Sequence, residues 1–246
     1  MTAPTPPSPP AANGLPPGPA RGSLIIVSSP SGAGKTTLTR QLLRDHPSLD
    51  FSVSYTTRLQ RTGERDGIDY HFVDVTTFDR MADAGELAET FEVHGNRYGT
   101  ARAPIEACVS GGRDMIFDVD YQGARALAAQ WPDDAVKIFI LPPDLATLAS
   151  RLRTRATDAA EVIERRLRKA IEELRHFEAY DHLIVNQTIA PAYAVLRAIY
   201  LTRRFGVHDR ADVDLPLAEL AAVVEANRAG EPSAHARRLI ASPAPA

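Results

Sequence analysis

The run Ser29-Pro30-Ser31-Gly32-Ala33-Gly34-Lys35-Thr36-Thr37 follows directly on the apolar stretch Leu24-Ile25-Ile26-Val27. This pairing constrains the fold more than any other feature of the chain. Small residues at Gly32 and Gly34 let consecutive backbone N–H groups curl around a phosphate. A helix starting near Lys35, with Leu38, Leu42 and Leu43 at helical spacing, points its N-terminal dipole at the same anion. Lys35 then reaches the terminal phosphates and the Thr36 hydroxyl can ligate Mg²⁺. The general pattern asks for Gly at the first position, where this chain has Ser29, which costs some specificity; the strand before the loop and the helix after it restore most of it. The alternative is a Gly-rich strand-to-helix turn that holds no ligand.

Around that loop the chain alternates short apolar runs with helical patterns. Leu24–Ser28, Phe51–Ser54, Met115–Val119, Lys137–Leu141 and His182–Asn186 read as strands buried on both faces. Helices are predicted near 35–45, 122–130, 144–153, 160–180 and 190–204. This alternation predicts an α/β fold with a parallel sheet covered by helices. The 246 residues, 44% of them apolar, suffice for one core with inserts, and the net charge of −3 argues against bulk nucleic-acid binding. No apolar run approaches the roughly 20 residues that span a bilayer, and the first residues lack the basic and apolar regions of a signal peptide, so a cytoplasmic protein with no membrane partner is expected. Cys108 is the single cysteine, which leaves no internal disulfide and suits a small buried hydrophobe.

Three segments depart from the rhythm. The first 20 residues hold eight of the 19 prolines, so residues 1–21 are expected to form a disordered tail outside the fold. Residues 55–101 read as an inserted small domain, with short half-exposed strands at Tyr70–Val73 and Leu87–Val93 separated by Gly63, Gly67, Gly95 and Gly99. They interrupt a core made of 22–54 and 102–205. Residues 206–246 form a C-terminal extension with one short amphipathic helix around Leu217, Leu220 and Val224 and an Ala/Pro end that frays.

A phosphate loop alone serves many enzymes; the insert narrows the choice. Its opening, Ser52 to Arg61, ends with two arginines three apart and is followed by Gly63-Glu64 and Gly67-Ile68-Asp69-Tyr70-His71-Phe72. Two guanidinium forks and a phenol can clamp a second phosphate, although Arg58 and Arg61 taken alone are ordinary surface residues. Together with Val27–Leu38, Glu89, Gly95-Asn96-Arg97-Tyr98-Gly99-Thr100, Asp118-Val119-Asp120-Tyr121-Gln122-Gly123 and Leu183-Ile184-Val185-Asn186, these blocks closely resemble the guanylate kinase family, from about Gly22 to Arg204. The resemblance implies a P-loop nucleoside-monophosphate kinase core, a GMP-binding insert and a short lid at 151–158, and an enzyme of purine metabolism and GMP recycling that transfers the ATP γ-phosphoryl group to GMP, and to dGMP, with Mg²⁺. Oligomeric state stays open.

Carried over by position, the resemblance implies that Arg58, Arg61, Tyr70 and Tyr98 hold the GMP phosphate, while Glu89, Ser54 and Thr100 read the base and Asp118 approaches the GMP side. Guanine presents N1–H and N2–H₂ side by side to a carboxylate, whereas adenine would turn the N1 lone pair toward Glu89. Glu89 as a solvent-facing strand carboxylate is the plainer alternative. On the ATP side the resemblance implies Ser31, Gly32, Ala33, Gly34, Lys35, Thr36, Thr37 and Asn186. Thr36, Asp118 and Asp120 are the Mg²⁺ candidates, directly or through water; Asp120 reads equally well as the cap of the following helix. Lys35 with Arg151, Arg155 and Arg166 would surround the transferring phosphoryl group. Ala156 stands where the family has Gly. Arg165, Arg168 and Lys169 read as an exposed helix face paired with Glu161 and Glu164.

Two rivals remain at this stage. One is an adenylate or sugar-phosphate kinase of similar architecture, which would have no use for the acceptor set at Glu89 and Ser54. The other is a guanylate-kinase-like peptide-binding module, which would not need Gly32, Gly34, Lys35 and the lid arginines.

Overall fold

A computed structural model describes residues 21–93, 95–154 and 160–242. Of the tail expected over residues 1–21, residues 1–20 lie outside this range, while Arg21 pairs with Asp134 at 2.6 Å. In chain order the elements are β1 (Leu24–Ser28), α1 (Lys35–Asp45), β2 (Asp50–Phe51), β3 (Tyr55–Thr56), β4 (His71–Phe72), α2 (Val75–Asp83), β5 (Leu87–Val93), β6 (Asn96–Ala101), α3 (Arg102–Ser110), β7 (Met115–Asp118), α4 (Tyr121–Gln130), β8 (Ala135–Leu141), α5 (Leu145–Thr154), α6 (Ala160–Leu174), β9 (His182–Val185), α7 (Ile189–Phe205), α8 (Leu217–Ala229) and α9 (Pro232–Ala241).

The expected parallel sheet forms with strand order β2-β7-β1-β8-β9. Its central strand β1 is buried along its whole length because helices cover both faces, which is why Leu24–Val27 are continuously apolar rather than alternating. One layer packs α1 and α7 against Ile25, Val27, Ile138 and Ile140; the other packs α3 and α4 against Leu24, Ile26 and Phe117. The register pairs Val27 with Asp118. This brings the exit of β1, where the Gly-rich loop begins, beside the acidic end of β7. Ligands of open α/β sheets bind outside such carboxyl ends.

Between β2 and α3 the chain builds a second sheet, β4-β3-β6-β5, whose β5–β6 and β3–β6 pairs are antiparallel. Its small core of Phe78, Met81 and Leu87 lies under α2. Gln130 on α4 donates to the Ala88 carbonyl and fixes this sheet to the core.

Several sequence expectations shift. The strand expected over Phe51–Ser54 is limited to Asp50–Phe51, because the chain leaves the core sheet to enter the second one at Tyr55. The helix expected to reach residue 180 ends at Leu174 and tightens into a 3₁₀ turn at Phe177–Ala179. Helices α2 and α3 are additional; each is nine residues long and buries only a short apolar stripe. The single helix expected after residue 206 is corrected to two. Pro232, Ala236 and Leu239 give α9 a buried face, and Ala236 and Leu239 join a cluster with Leu148, Leu152 and Leu167. The Ala/Pro end expected to fray lies past α9, and its residues 243–246 are outside the described residues.

Candidate active site

The Gly-rich loop follows β1, and its backbone explains its composition. Gly32 and Gly34 adopt φ of 89° and 99°, a region that side chains other than Gly strongly disfavour. A Cβ on Gly34 would stand 2.2 Å from Asn186 Nδ2. Asn186 is fully buried at the end of β9, and that same Nδ2 donates to the Ala33 carbonyl at 2.7 Å. The N-terminus of α1 has no side-chain cap, so its first N–H groups face the loop's pocket as donors for an anion. A pocket of 260 Å³ lies there, lined by residues 29–32 and 34–36 with Asp120 and Glu173.

Lys35 Nζ pairs with Asp118 Oδ1 at 2.5 Å and donates to the Val119 carbonyl at 3.1 Å. The Thr36 hydroxyl donates to Asp118 Oδ2 at 3.5 Å. Asp120 caps α4, its Oδ1 accepting from Gln122 N–H at 3.0 Å and Gly123 N–H at 2.9 Å. Thr36 and Asp118 thus form a small set of hard oxygen donors beside the loop, of the kind that holds Mg²⁺ together with phosphate oxygens. No group of three or more acidic, His or Cys side chains among the described residues would hold an ion without such phosphates.

On the far side of Asp118 a cleft of 860 Å³ separates α1 from the second sheet; Thr36, Ser54, Tyr70 and Asp118 line it. Tyr70 packs edge-on against Tyr98 with ring centroids 6.0 Å apart, and the Arg58 guanidinium lies 5.2 Å over the Tyr70 ring. Arg58, 12% exposed, is gripped by Glu64, with Nη2 donating to Oε1 at 2.8 Å and Nη1 to Oε2 at 3.1 Å. The pair raises the Arg58 pKa and holds the Glu64 carboxyl below its usual range. Glu64 Oε2 also accepts from the Arg61 N–H at 2.8 Å, while the Arg61 residue itself is exposed. Glu64 is a functional candidate that the motif alone leaves without a role; its spacing, three residues after Arg61 and six after Arg58, is the signal in the sequence.

Glu89 on β5 is 6% exposed and sits opposite Thr100 on β6. Thr100 Oγ1 donates to Glu89 Oε1 at 2.7 Å, whereas Oε2 is buried without a partner. Burial pushes this carboxyl up to about 7, against the pull of the Thr100 hydrogen bond. The solvent-facing reading of Glu89 is therefore set aside.

On the opposite side of the loop, Gly32, Gly34, Thr37, Ser150, Arg151, Asn186 and Ile189 line a pocket of 350 Å³. Two buried polar atoms in these residues lack partners: Arg151 Nη1 and Asn186 Oδ1. Arg166 is exposed on α6 and makes a contact there. Arg155, Ala156 and the rest of the expected lid after Thr154 lie outside the described residues. The structure thus brings together Ser54, Tyr70, Thr36 and Asp118 in one cleft and Gly32, Gly34, Thr37, Arg151 and Asn186 in an adjoining pocket.

These features agree with what the chain is similar to. The guanylate kinase family model matches residues 21–202. A guanylate kinase of Rhodopseudomonas palustris (strain ATCC BAA-98 / CGA009) is 51% identical over 179 residues, covering 73% of this chain and 81% of that protein. One of Chelativorans sp. (strain BNC1) is 47% identical over 190 residues, covering 77% and 87%. The crystal structure of guanylate kinase from Anaplasma phagocytophilum superposes with a TM-score of 0.63 at 33% identity, covering 85% of this chain and 96% of that one. With a family match running from three residues before β1 into α7 and the same fold in a solved relative, this chain belongs to the guanylate kinase family.

Proposed function

We propose that this protein transfers the γ-phosphoryl group of ATP to GMP, and to dGMP, giving ADP and GDP, as a cytoplasmic nucleoside-monophosphate kinase of purine metabolism. The observation that carries the reading is Glu89: a buried carboxylate with one oxygen fixed by Thr100 and the other unpartnered. An unmet buried acceptor costs free energy unless a ligand donor meets it. Guanine supplies adjacent N1–H and N2–H₂ donors, and adenine does not.

In this reading residues 22–54 and 102–205 are the kinase core, 55–101 the GMP-binding insert, 151–158 the lid and 206–246 a C-terminal extension, of which α8 and α9 pack on the core. Arg58, Arg61, Tyr70 and Tyr98 take the GMP phosphate; Glu89, Ser54 and Thr100 read guanine, with Asp118 beside them. Residues 31–37 cradle the ATP phosphates, and the orphaned Asn186 Oδ1 suits an amino donor such as that of adenine. Thr36 and Asp118, with Asp120, would hold Mg²⁺, which neutralises phosphate charge when bound.

The GMP phosphate oxygen attacks the γ-phosphorus in line as the bond to ADP breaks, and no enzyme nucleophile takes part. Lys35, now held by Asp118, is within reach of the loop pocket, so nucleotide binding exchanges one anionic partner for another. Arg151, whose Nη1 is buried and unpartnered, and the lid residue Arg155 and Arg166 stabilise charge on the transferring group. A coupled assay of ADP formation with GMP, dGMP, AMP, CMP and UMP as acceptors tests the reading. Turnover with GMP and dGMP alone is expected, and equal turnover with AMP would overturn it.

A further inference from the structure

Among the described residues, helix α6 meets the phosphate loop through the acidic side chain of Glu173. Glu173 is half-buried, lines the loop pocket and accepts the Ser31 N–H through Oε2 at 3.3 Å. Its neighbour Leu174, with Leu167 and Ala170, forms the stripe that packs α6 against Leu148 and Leu152 of α5. Seven residues make almost two full helical turns, so Arg166 and Glu173 share a face of α6. The face that carries one arginine of the proposed phosphoryl site is thus tied to the loop by the carboxylate two turns further on.

The placement is costly for stability alone. Burial is the largest influence on the Glu173 carboxyl and raises its pKa, Asp120 adds to that, and Lys169, the Ser31 N–H and Lys35 offset it only in part. A carboxylate beside a pocket built for phosphates also repels them. Its positional consequence is specific: Ser31 is the residue before Gly32, at the apex of the loop, and the hydrogen bond fixes that apex relative to α6.

We propose that Glu173 is a positioning residue for phosphoryl transfer: by accepting the Ser31 N–H it locks the apex of the phosphate loop to α6, so that loop and Arg166 keep one relative placement. This rests on the kinase reading above. What Glu173 contributes is an acceptor at a fixed distance; its negative charge is incidental to that role. Gln keeps the acceptor, Asp draws it back by one methylene, and Ala removes it.

The test measures kcat, the KM for GMP and the binding of a non-hydrolysable ATP analogue for the full-length wild type and for Glu173→Gln, Glu173→Asp and Glu173→Ala, with thermal melts for each. Wild-type turnover of GMP must be present first, and its absence would count against the kinase reading rather than against Glu173. Glu173→Ala and Glu173→Asp are expected to lose about five- to tenfold in kcat, the scale of one lost hydrogen bond, with the GMP KM within about twofold. Glu173→Gln is expected within about threefold of wild type and to bind the analogue at least as tightly. If Glu173→Ala does not fold, the Asp and Gln variants decide alone. Unchanged kcat in Glu173→Asp, a Glu173→Gln enzyme as poor as Glu173→Asp, or tighter analogue binding by Glu173→Ala would each overturn the proposal, the last by showing a carboxylate that competes with the phosphates.

Discussion

Thr100 and Glu89 face each other across the β5–β6 ladder, and the Thr100 hydroxyl donates to Glu89 Oε1 at 2.7 Å while Oε2 stays buried and unpartnered. The geometry holds a carboxylate in place without neutralising it. Burial pushes its pKa up, the Thr100 hydrogen bonds pull it down and the Asp120 charge adds to the rise, with a result of about 7.

Guanine's two donors call for the ionised form of Glu89. As pH falls below about 7, kcat/KM for GMP is expected to decline toward tenfold per unit while the KM for ATP stays level. Thr100→Val removes the interaction that favours ionisation, so its acidic limb moves to higher pH. A profile of kcat/KM between about pH 5.5 and 8.5 checks both; a GMP profile that stays flat removes Glu89 from base recognition.

The same group makes folding stability depend on pH in a defined direction. Its folded pKa of about 7 lies above the ordinary 4.5 of the unfolded chain. Between those values the unfolded state binds fewer protons, so Glu89 lowers stability as pH rises through the window and has no such effect below it. Glu89→Gln stays neutral and is expected to melt higher than wild type at pH 8, with the gap gone near pH 4.5. Its GMP efficiency is expected to fall by roughly two to four powers of ten, the scale of a mispaired polar site. Melting curves at the two pH values and kcat/KM for GMP and AMP measure these effects.

Glu64 grips the Arg58 guanidinium through two hydrogen bonds and the Arg61 N–H through a third. Glu64→Ala is expected to raise the GMP KM by about tenfold or more, the scale of lost charge-assisted hydrogen bonds, with the KM for ATP unchanged. Steady-state kinetics varying each substrate in turn separate this from a general loss of active enzyme, which would lower kcat alone.

Lys35→Ala leaves the loop backbone able to bind phosphate but removes the cation held by Asp118. A fall in kcat of at least about a hundredfold is expected, as for other electrostatic catalytic groups. Near-wild-type turnover in a correctly folded variant would take Lys35 out of the mechanism.

Gly34→Ala imposes a side chain at φ 99° and a Cβ 2.2 Å from Asn186 Nδ2. A stability loss on the order of 1–3 kcal/mol is expected from the backbone strain alone, together with weaker ATP binding. Thermal melts and titration with a non-hydrolysable ATP analogue test this, and a variant that binds the analogue as wild type does would show the loop to be more plastic than its geometry suggests.

The sequence by itself determined what is local. The five buried residues of β1, the Gly-rich turn and the helix Lys35–Asp45 are all specified within some twenty positions, because turn conformation and helical period act over a few residues. It also determined that a parallel sheet would form, since continuous apolar strands alternating with amphipathic helices have few other ways to cover both faces. Only the tertiary structure decided which distant groups meet. Asn186 reaches Ala33 across 153 positions, and Glu173 reaches Ser31 across 142, because β9 and α6 are carried to the loop by strand order and helix packing rather than by any local pattern. The same holds for α9, a helix that the sequence analysis does not anticipate and that Ala236 and Leu239 pack onto the α5–α6 surface. Burial is a property of the folded whole, and it is burial that sets Glu89 apart from the other strand carboxylates as an acceptor with one oxygen held by Thr100 and the other unmet.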